Sequence, residues 1–570
     1  MRFPLELLPG QKEALLSGLL DVTKPAWGFA APTGAGKTFV ARLAILETLT
    51  SDPKSKIIYI VPSKALVNEV AGSLHGSFKL LDFSIIALSA QLVDLEESER
   101  SQLDNASVVI LTPEKADLLL RLGANFLQDV KLAIIDEAHH IEAGTRGVLL
   151  ELYLGRLRRI LSRARYIFLS AVAPNIHQVT TWMNPRGASV TYNIRPTRMR
   201  VGVYALAGRG IAARGFIRFT DGTYIEVVSS RAETTIRRGI AQLAAFLKPA
   251  GPVLIVAKGK KECESIATAL QKWLAQNDQR QELTNDEQSS EFYKRLDARL
   301  EREMYADVSM RQLLKARIAY HHAGLPPNVR QSVEEAIREG FVDYVIATTT
   351  LAEGVNFPFS TVVVQSLALR EAPEHGRPSR YVPVTPRNFW NIAGRAGRPG
   401  FDSEGQVILF EPSLGLDRIN AVIEDYTNPE MSGLAPVGSA LAHAVQEIKT
   451  DLEAQSYFLS DLSNITLPEA VSKRVRGAIN LLRIGIIHAR ATTQLESPED
   501  ILETSFAAQF LTGDERIFAK TLVESQSEAA DAYLSSGDAP SLEKLAELGL
   551  SLETLNALRG YVARLEDWQI

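Results

Sequence analysis

The sequence predicts an α/β protein built as two tandem parallel-sheet domains with a mainly helical C-terminal region, and three observations carry that reading. Short, continuously apolar, β-branched runs alternate with longer helical patterns through the first 415 residues, as expected of strands covered by helices on both faces. The runs fall into two sets on either side of the Pro185–Pro196 region. Beyond about residue 432 the runs stop and a helical period takes over. A chain of 570 residues also exceeds what one hydrophobic core can hold, so several domains are expected.

The first set is WGFAA (27–31), KIIYIV (56–61), SVVILT (107–112), LAIID (132–136) and YIFLS (166–170). The second is MRVGVYAL (199–206), PVLIVA (252–257), RIAYHH (317–322), YVIATT (344–349), TVVVQSL (361–367) and QVILFE (406–411). FIRFTDGTYIEVV (216–228) alternates around Asp221-Gly222 and predicts a β-hairpin. Residues 271–310 are rich in Gln, Glu, Asp and Arg and predict a solvated helical insertion. SLALREAPEHGRPSRYVPV (366–384) fits a hairpin or a plain surface loop equally well. LPEAVSKRVRGAINLLRIGIIHAR (467–490) reads as a basic helix ending at Gly485 and then a short apolar strand, which suits a winged-helix-like unit. The expected domains are therefore 1–193, 194–431 and 432–570.

Composition narrows the function. Lysine and arginine number 62 against 67 acids, a net charge of −5, so no global field draws the chain to a polyanion and any nucleic-acid contact must come from local grooves. Cys263 is the single cysteine, which excludes an internal disulfide, a four-cysteine zinc site and an iron–sulfur cluster and fits a cytoplasmic, reducing setting. The N-terminal stretch MRFPLELLPGQKEALL is too interrupted for a signal peptide. No run approaches the about 18 apolar residues of a membrane span, so no membrane is expected as a partner.

The chemistry concentrates in two places. FAAPTGAGKTFV (29–40) places a glycine turn between a strand and a helix. There backbone N–H groups converge on an anion, a lysine neutralises its charge and a hydroxyl reaches a metal. Ala31, Pro32, Thr33, Gly34, Ala35, Gly36, Lys37 and Thr38 are thus the candidate triphosphate cradle, with Ala31 where the strict pattern has glycine. IIDEAHH (134–140) ends a strand on Asp136 and Glu137, at the edge where parallel sheets bind ligands. Asp136 suits Mg2+, shared with Thr38, and Glu137 suits the base that deprotonates an attacking water. ATP and Mg2+ are the expected ligands. His139 and His140 lack the spacing and third ligand of a zinc site, and coupling or structural roles fit them better.

With LPGQKEAL (8–15), VPSKAL (61–66), LTPEKAD (111–117), SAV (170–172), AYHHAGL (319–325), IATTTLAEGVNFP (346–358) and NIAGRAGRPG (391–400), these segments resemble superfamily 2 helicases, specifically the Superkiller-like branch of DExH ATPases, over about residues 5–412. The resemblance implies two RecA-like domains and an ATP-hydrolysing helicase. It assigns Gln11 to the adenine edge, Gly354 and Asn356 to the nucleotide's surroundings, His139, Ser170 and Ala171 to coupling, and Arg395 and Arg398 to arginine fingers from the second domain. Pro62, Ser63, Lys64, Thr112, Pro113, Glu114, His322, Thr348 and Thr349 would line a single strand through sequence-blind backbone contacts. Translocation would run 3′ to 5′ on single-stranded or tailed nucleic acid, with DNA favoured over RNA. A motor or sensor subunit working with a protein partner such as a nuclease is the alternative. SAV where SAT is commoner, and Asn391 where glutamine is usual, are the two departures.

Overall fold

The computed structural model describes residues 7–566, with the exception of 82, 89–96, 124, 172, 196, 209–211, 230, 278, 280–282, 304–308, 349–356, 358, 371–380, 385, 398–401, 403, 414–435, 492–498 and 536–539. The first lobe is one seven-stranded parallel sheet: β1 (Ala26–Ala30), β2 (Lys56–Ile60), β3 (Ile85–Leu88), β4 (Val108–Leu111), β5 (Val130–Ile135), β6 (Arg165–Ser170) and β7 (Ala188–Thr191), in the order β3-β4-β2-β5-β6-β1-β7. β1, β2, β4, β5 and β6 coincide with the five apolar runs within a residue or two. They are buried almost throughout, and separate apolar clusters fill the two faces of the sheet. β3 and β7 lie at the two edges and are half exposed. Short edge strands lack the unbroken apolar signature, which is why the sequence reading passes over them.

The second lobe repeats the design with β8 (Arg198–Ala207), β9 (Arg214–Phe219), β10 (Tyr224–Val228), β11 (Val253–Val256), β12 (Ile318–His321), β13 (Tyr344–Ala347), β14 (Thr361–Val364) and β17 (Glu404–Phe410), ordered β10-β9-β8-β17-β14-β11-β13-β12. The strands from β8 to β12 pair in parallel, whereas β9 and β10 join antiparallel. The hairpin predicted around Asp221-Gly222 is therefore an extension of the sheet itself. β15 (Ala368–Arg370) and β16 (Tyr381–Pro383) form the antiparallel stem of a hairpin in the segment that fits either hairpin or loop.

Two expectations change. The charged segment near 271–310 is helical but amphipathic: Tyr293, Leu296, Leu300, Met310 and Leu313 are buried in the second lobe's core, so only its outer face is solvated. The strand expected after Gly485 does not form. Lys473–Ala491 is one continuous helix, with Ile486 and Ile487 buried on it, and the described residues beyond 440 contain no strand of a wing. Gly485 commonly signals a stop, but here packing of this helix on the first lobe's helix Gly144–Ile160 overrides a propensity cost of about 1 kcal/mol. The helical part of the C-terminal expectation holds. Among the described residues no helix is long and apolar enough to cross a membrane.

The C-terminal helices are bolted to the first lobe through polar side chains. Glu151, fully buried on Gly144–Ile160, accepts from Ser439 Oγ at 2.8 Å and Ala507 N at 2.6 Å, holding the starts of the helices Ala440–Glu453 and Phe506–Gln509. Asn175 exchanges bonds of 2.7 and 3.0 Å with the backbone of Val437, and Glu142 accepts from Gly438 N at 2.9 Å. Arg483 is also wholly buried and donates to Leu462 O, Asn464 O, Ile465 O and Gln526 Oε1, tying the helical layer to itself.

Burial pushes the Glu151 carboxyl up from 4.5 to about 7, outweighing its donors. A raised folded value means that its stabilising contribution is complete below pH 4.5 and is lost as pH rises through about 7. Glu151→Gln should abolish this pH-dependent step in thermal melts between pH 5 and 8, on the order of the shift cited. Glu151→Ala should cost about 3 kcal/mol and expose the C-terminal helices to limited proteolysis.

Candidate active site in the interlobe cleft

β1 delivers the chain to the glycine turn with Ala31 fully buried, its N–H donating to Ser170 O at 2.9 Å. The methyl of Ala31 packs into the first lobe's core, so the missing glycine costs the turn nothing. Gly34 and Gly36 take φ of +86° and +95°, the left-handed region that side chains disfavour. At Gly36 a Cβ would also stand 2.3 Å from Gln11 Nε2. Gln11 is buried against the turn, with its Oε1 accepting from Leu8 N at 2.8 Å. The helix Lys37–Ser51 starts directly at the turn, where the first N–H groups of a helix lack an i−4 partner, and Gly36 O accepts from Phe39 N at 3.0 Å and Val40 N at 3.1 Å. Lys37 Nζ donates to Ala31 O at 3.2 Å.

Two strands away, β5 ends in Asp136, whose Oδ2 accepts from the Tyr59 hydroxyl and whose Oδ1 accepts from Glu137 N, each at 2.9 Å. Glu137 has φ +51°, a conformation rare outside glycine and found where function fixes a residue. Burial, then the neighbouring Glu137, raise Asp136 to about 6 against the pull of Lys37 and Tyr59. Burial also pushes Glu137 upward, but Lys37, His139, His140 and Arg395 together outweigh it and hold this carboxyl below its ordinary value. The two acids are thereby split: Glu137 keeps its charge while Asp136 holds a proton more readily.

His139 Nδ1 lies 3.2 Å from Ser170 Oγ and 3.4 Å from Glu137 Oε2, and Asn391 Nδ2 of the second lobe donates to its Nε2 at 3.4 Å. Ser170 and Ala171 are buried at the end of β6 beside this imidazole. Asn391, one methylene shorter than glutamine, still spans the gap.

The second lobe meets the turn at the end of its helix Pro386–Ala393. Gly394 lies so close to the first lobe that a Cβ there would stand 2.8 Å from Thr33 Oγ1. The next residue is Arg395, whose charge reaches Glu137. Behind it, half-buried Arg195 donates to Gly394 O at 3.2 Å and Ala396 O at 3.3 Å. Arg398, Gly354, Asn356 and Thr349 lie outside the described residues.

The candidate strand-lining residues divide. Pro62, Ser63 and Lys64 follow β2, and Thr112, Pro113 and Glu114 follow the adjacent β4, so both turns lie on one edge of the first sheet. Ser63 caps its helix by accepting from Leu66 N at 3.3 Å, and Lys64 is exposed. Thr112 and Pro113 are buried, which leaves the backbone at that helix start as their contribution. Thr348 sits at the corresponding end of β13. His322 is buried, its Nε2 3.1 Å from Glu264 Oε1 and its Nδ1 accepting from Gly324 N at 3.1 Å.

Residues 9–179 match the DEAD/DEAH box helicase family, and residues 280–400 match the helicase conserved C-terminal domain. The chain is 30% identical over 456 residues to the ATP-dependent DNA helicase Hel308 of Methanocella arvoryzae, covering 78% of this chain and 57% of that protein. The Hel308 protein of Pyrococcus abyssi is 31% identical over 417 residues, 72% of this chain and 52% of that one. Hachiman protein HamB of Bacillus cereus is 32% identical over 425 residues, 71% and 36% respectively. The chain belongs to the superfamily 2 helicases. It spans about half the length of the curated relatives it matches.

Three residues around the site escape a reading by sequence order: Tyr59, Arg195 and Arg146, which pairs with Glu114 at 2.8 Å. Tyr59 leaves one trace, a lone aromatic ring in an aliphatic strand. Gly36→Ala meets both the φ penalty and the Gln11 amide. It should abolish the rise in melting temperature that ATP gives the wild type and lower the nucleotide-free stability by more than about 1 kcal/mol, as differential scanning fluorimetry can check.

Proposed function

We propose that the protein is an ATP-driven helicase and translocase that moves 3′ to 5′ on single-stranded or tailed DNA, of the Superkiller-like DExH branch. The close approach of Gly394 to Thr33, with Arg395 acting on Glu137, carries this reading, because it makes one triphosphate site out of two lobes. Residues 1–193 and 194–431 are the two motor domains and 432–570 the accessory region.

Each group has work to do. Lys37 and the open amides of its helix bind the phosphates, and Gln11 borders the adenine. The Thr38 hydroxyl and the Asp136 carboxylate are hard oxygen donors that suit Mg2+. A divalent cation held there screens the charge of the phosphate oxygens. Glu137, kept ionised by its cationic neighbours, orients the attacking water and accepts its proton. Arg395 and Arg398 oppose the charge that develops on the γ-phosphate. Hydrolysis then weakens what holds the lobes together, and His139, bonded to Ser170 on one side and Asn391 on the other, carries the change between them. Alternate opening and closing moves the strand lying over Pro62–Lys64, Thr112–Glu114 and Thr348. Melting costs about 1–2 kcal/mol per base-pair step, and the β15–β16 hairpin is the candidate wedge.

A second reading, a motor or sensor subunit that works with a protein partner such as a nuclease, draws support from the likeness to Hachiman protein HamB. RNA in place of DNA is the other variant, since backbone contacts discriminate little.

ATP hydrolysis should rise at least tenfold with single-stranded DNA, and 3′-tailed duplexes should unwind in preference to 5′-tailed ones. Lys37→Ala and Arg395→Ala should each lower strand-stimulated turnover by at least a hundredfold, about 3 kcal/mol. Stimulation without unwinding of any duplex would favour the partner-dependent motor, and greater stimulation by RNA would reassign the substrate.

A further inference from the structure

Arg146 opens the helix Gly144–Ile160, just after the loop that carries the acid pair. Its Nε lies 2.8 Å from Glu114 Oε1 and its Nη1 donates to Pro62 O at 3.4 Å. One guanidinium thus spans the two turns, Pro62–Lys64 and Thr112–Glu114, that follow neighbouring strands β2 and β4. It also acts on His140, which burial holds below its ordinary value against the pull of Glu137, with Arg146 adding a smaller push downward. The Arg146 side chain is 63% exposed and that of Glu114 43%.

An exposed ion pair of this kind contributes little to stability, because water and salt screen it and two side chains are immobilised to make it. The pair matters more for where it stands. A carboxylate on a phosphate track is unfavourable unless a cation answers it, and a guanidinium presents a planar fork that fits two phosphate oxygens. The Nε edge of that fork is the one Glu114 now occupies.

We propose that Arg146 is a phosphate contact for the bound strand, and that Glu114 is its competing counter-ion. In the free protein Glu114 holds the guanidinium over both turns; a phosphate then takes the same edge. Glu114 lines the track as a rival of the strand, not as its ligand. The inference rests on the reading of these turns as strand-lining and adds to it the residue that supplies the charge.

The test is fluorescence anisotropy of the full chain with a labelled oligothymidine, without nucleotide, across about 50–200 mM salt. Wild type should bind with a salt-dependent Kd. Arg146→Ala should weaken binding roughly tenfold and lower the slope of log Kd against log salt by about 0.7, one contact's worth on a single strand. Glu114→Gln should tighten binding about threefold, an opposite sign that misfolding does not produce. In the Arg146→Ala background that gain should vanish. If wild type does not bind, the strand-lining reading fails and this inference falls with it. If wild type binds and Arg146→Ala matches it in Kd and slope, Arg146 is no contact and only this inference falls. If Glu114→Gln tightens binding equally with and without Arg146, the carboxylate acts by plain repulsion and the competing pair is overturned.

Discussion

Two half-buried carboxylates side by side cannot both keep their charge unless cations stand near them, and here the cations come from different lobes. Lys37 approaches from the turn in the first sheet and Arg395 from the second, and both lower the proton affinity of Glu137. The charge of Glu137 is therefore answered from both lobes. Much of the local architecture serves that meeting. The turn needs left-handed glycines to bring amides and lysine inward, Glu137 accepts a disfavoured backbone so that its carboxylate points into the cleft, and Gly394 has no side chain to hold the lobes apart.

What could be read from sequence order follows from how local each feature is. The central strands announce themselves because burial on both faces demands an unbroken apolar run. The turn and the acid pair are legible because their chemistry is packed into eight and seven consecutive residues. The edge strands β3 and β7 are hidden by being half exposed. Tyr59, Arg195 and Arg146 are hidden because what defines them is distant along the chain: the bond from Tyr59 joins residues 77 apart, and that from Arg195 to Gly394 joins residues 199 apart. No period or spacing encodes such a pair.

The errors have a common origin, a local rule overruled by tertiary packing. Gly485 reads as a helix end, yet the helix continues through it because its apolar neighbours have a surface to cover on the first lobe. The charged insertion reads as solvated, yet three to four residues per two turns are apolar and suffice to seat it on the second lobe's core.

The same packing decides which bodies move. Val437 and Gly438, where the C-terminal helices begin, are held by Asn175 and Glu142, five residues beyond Ser170 and Glu137 respectively. Glu151 and Arg121, which donates to Glu547 O, hold the helices further along. All of these anchors belong to the first lobe, so the helical region rides with it. Arg195, by contrast, lies only a few residues beyond β7 but is bonded to the second lobe at Gly394 and Ala396. The change of allegiance falls between Thr191 and Arg195. These bonds divide the described residues into two bodies, the first sheet with the C-terminal helices and the second sheet.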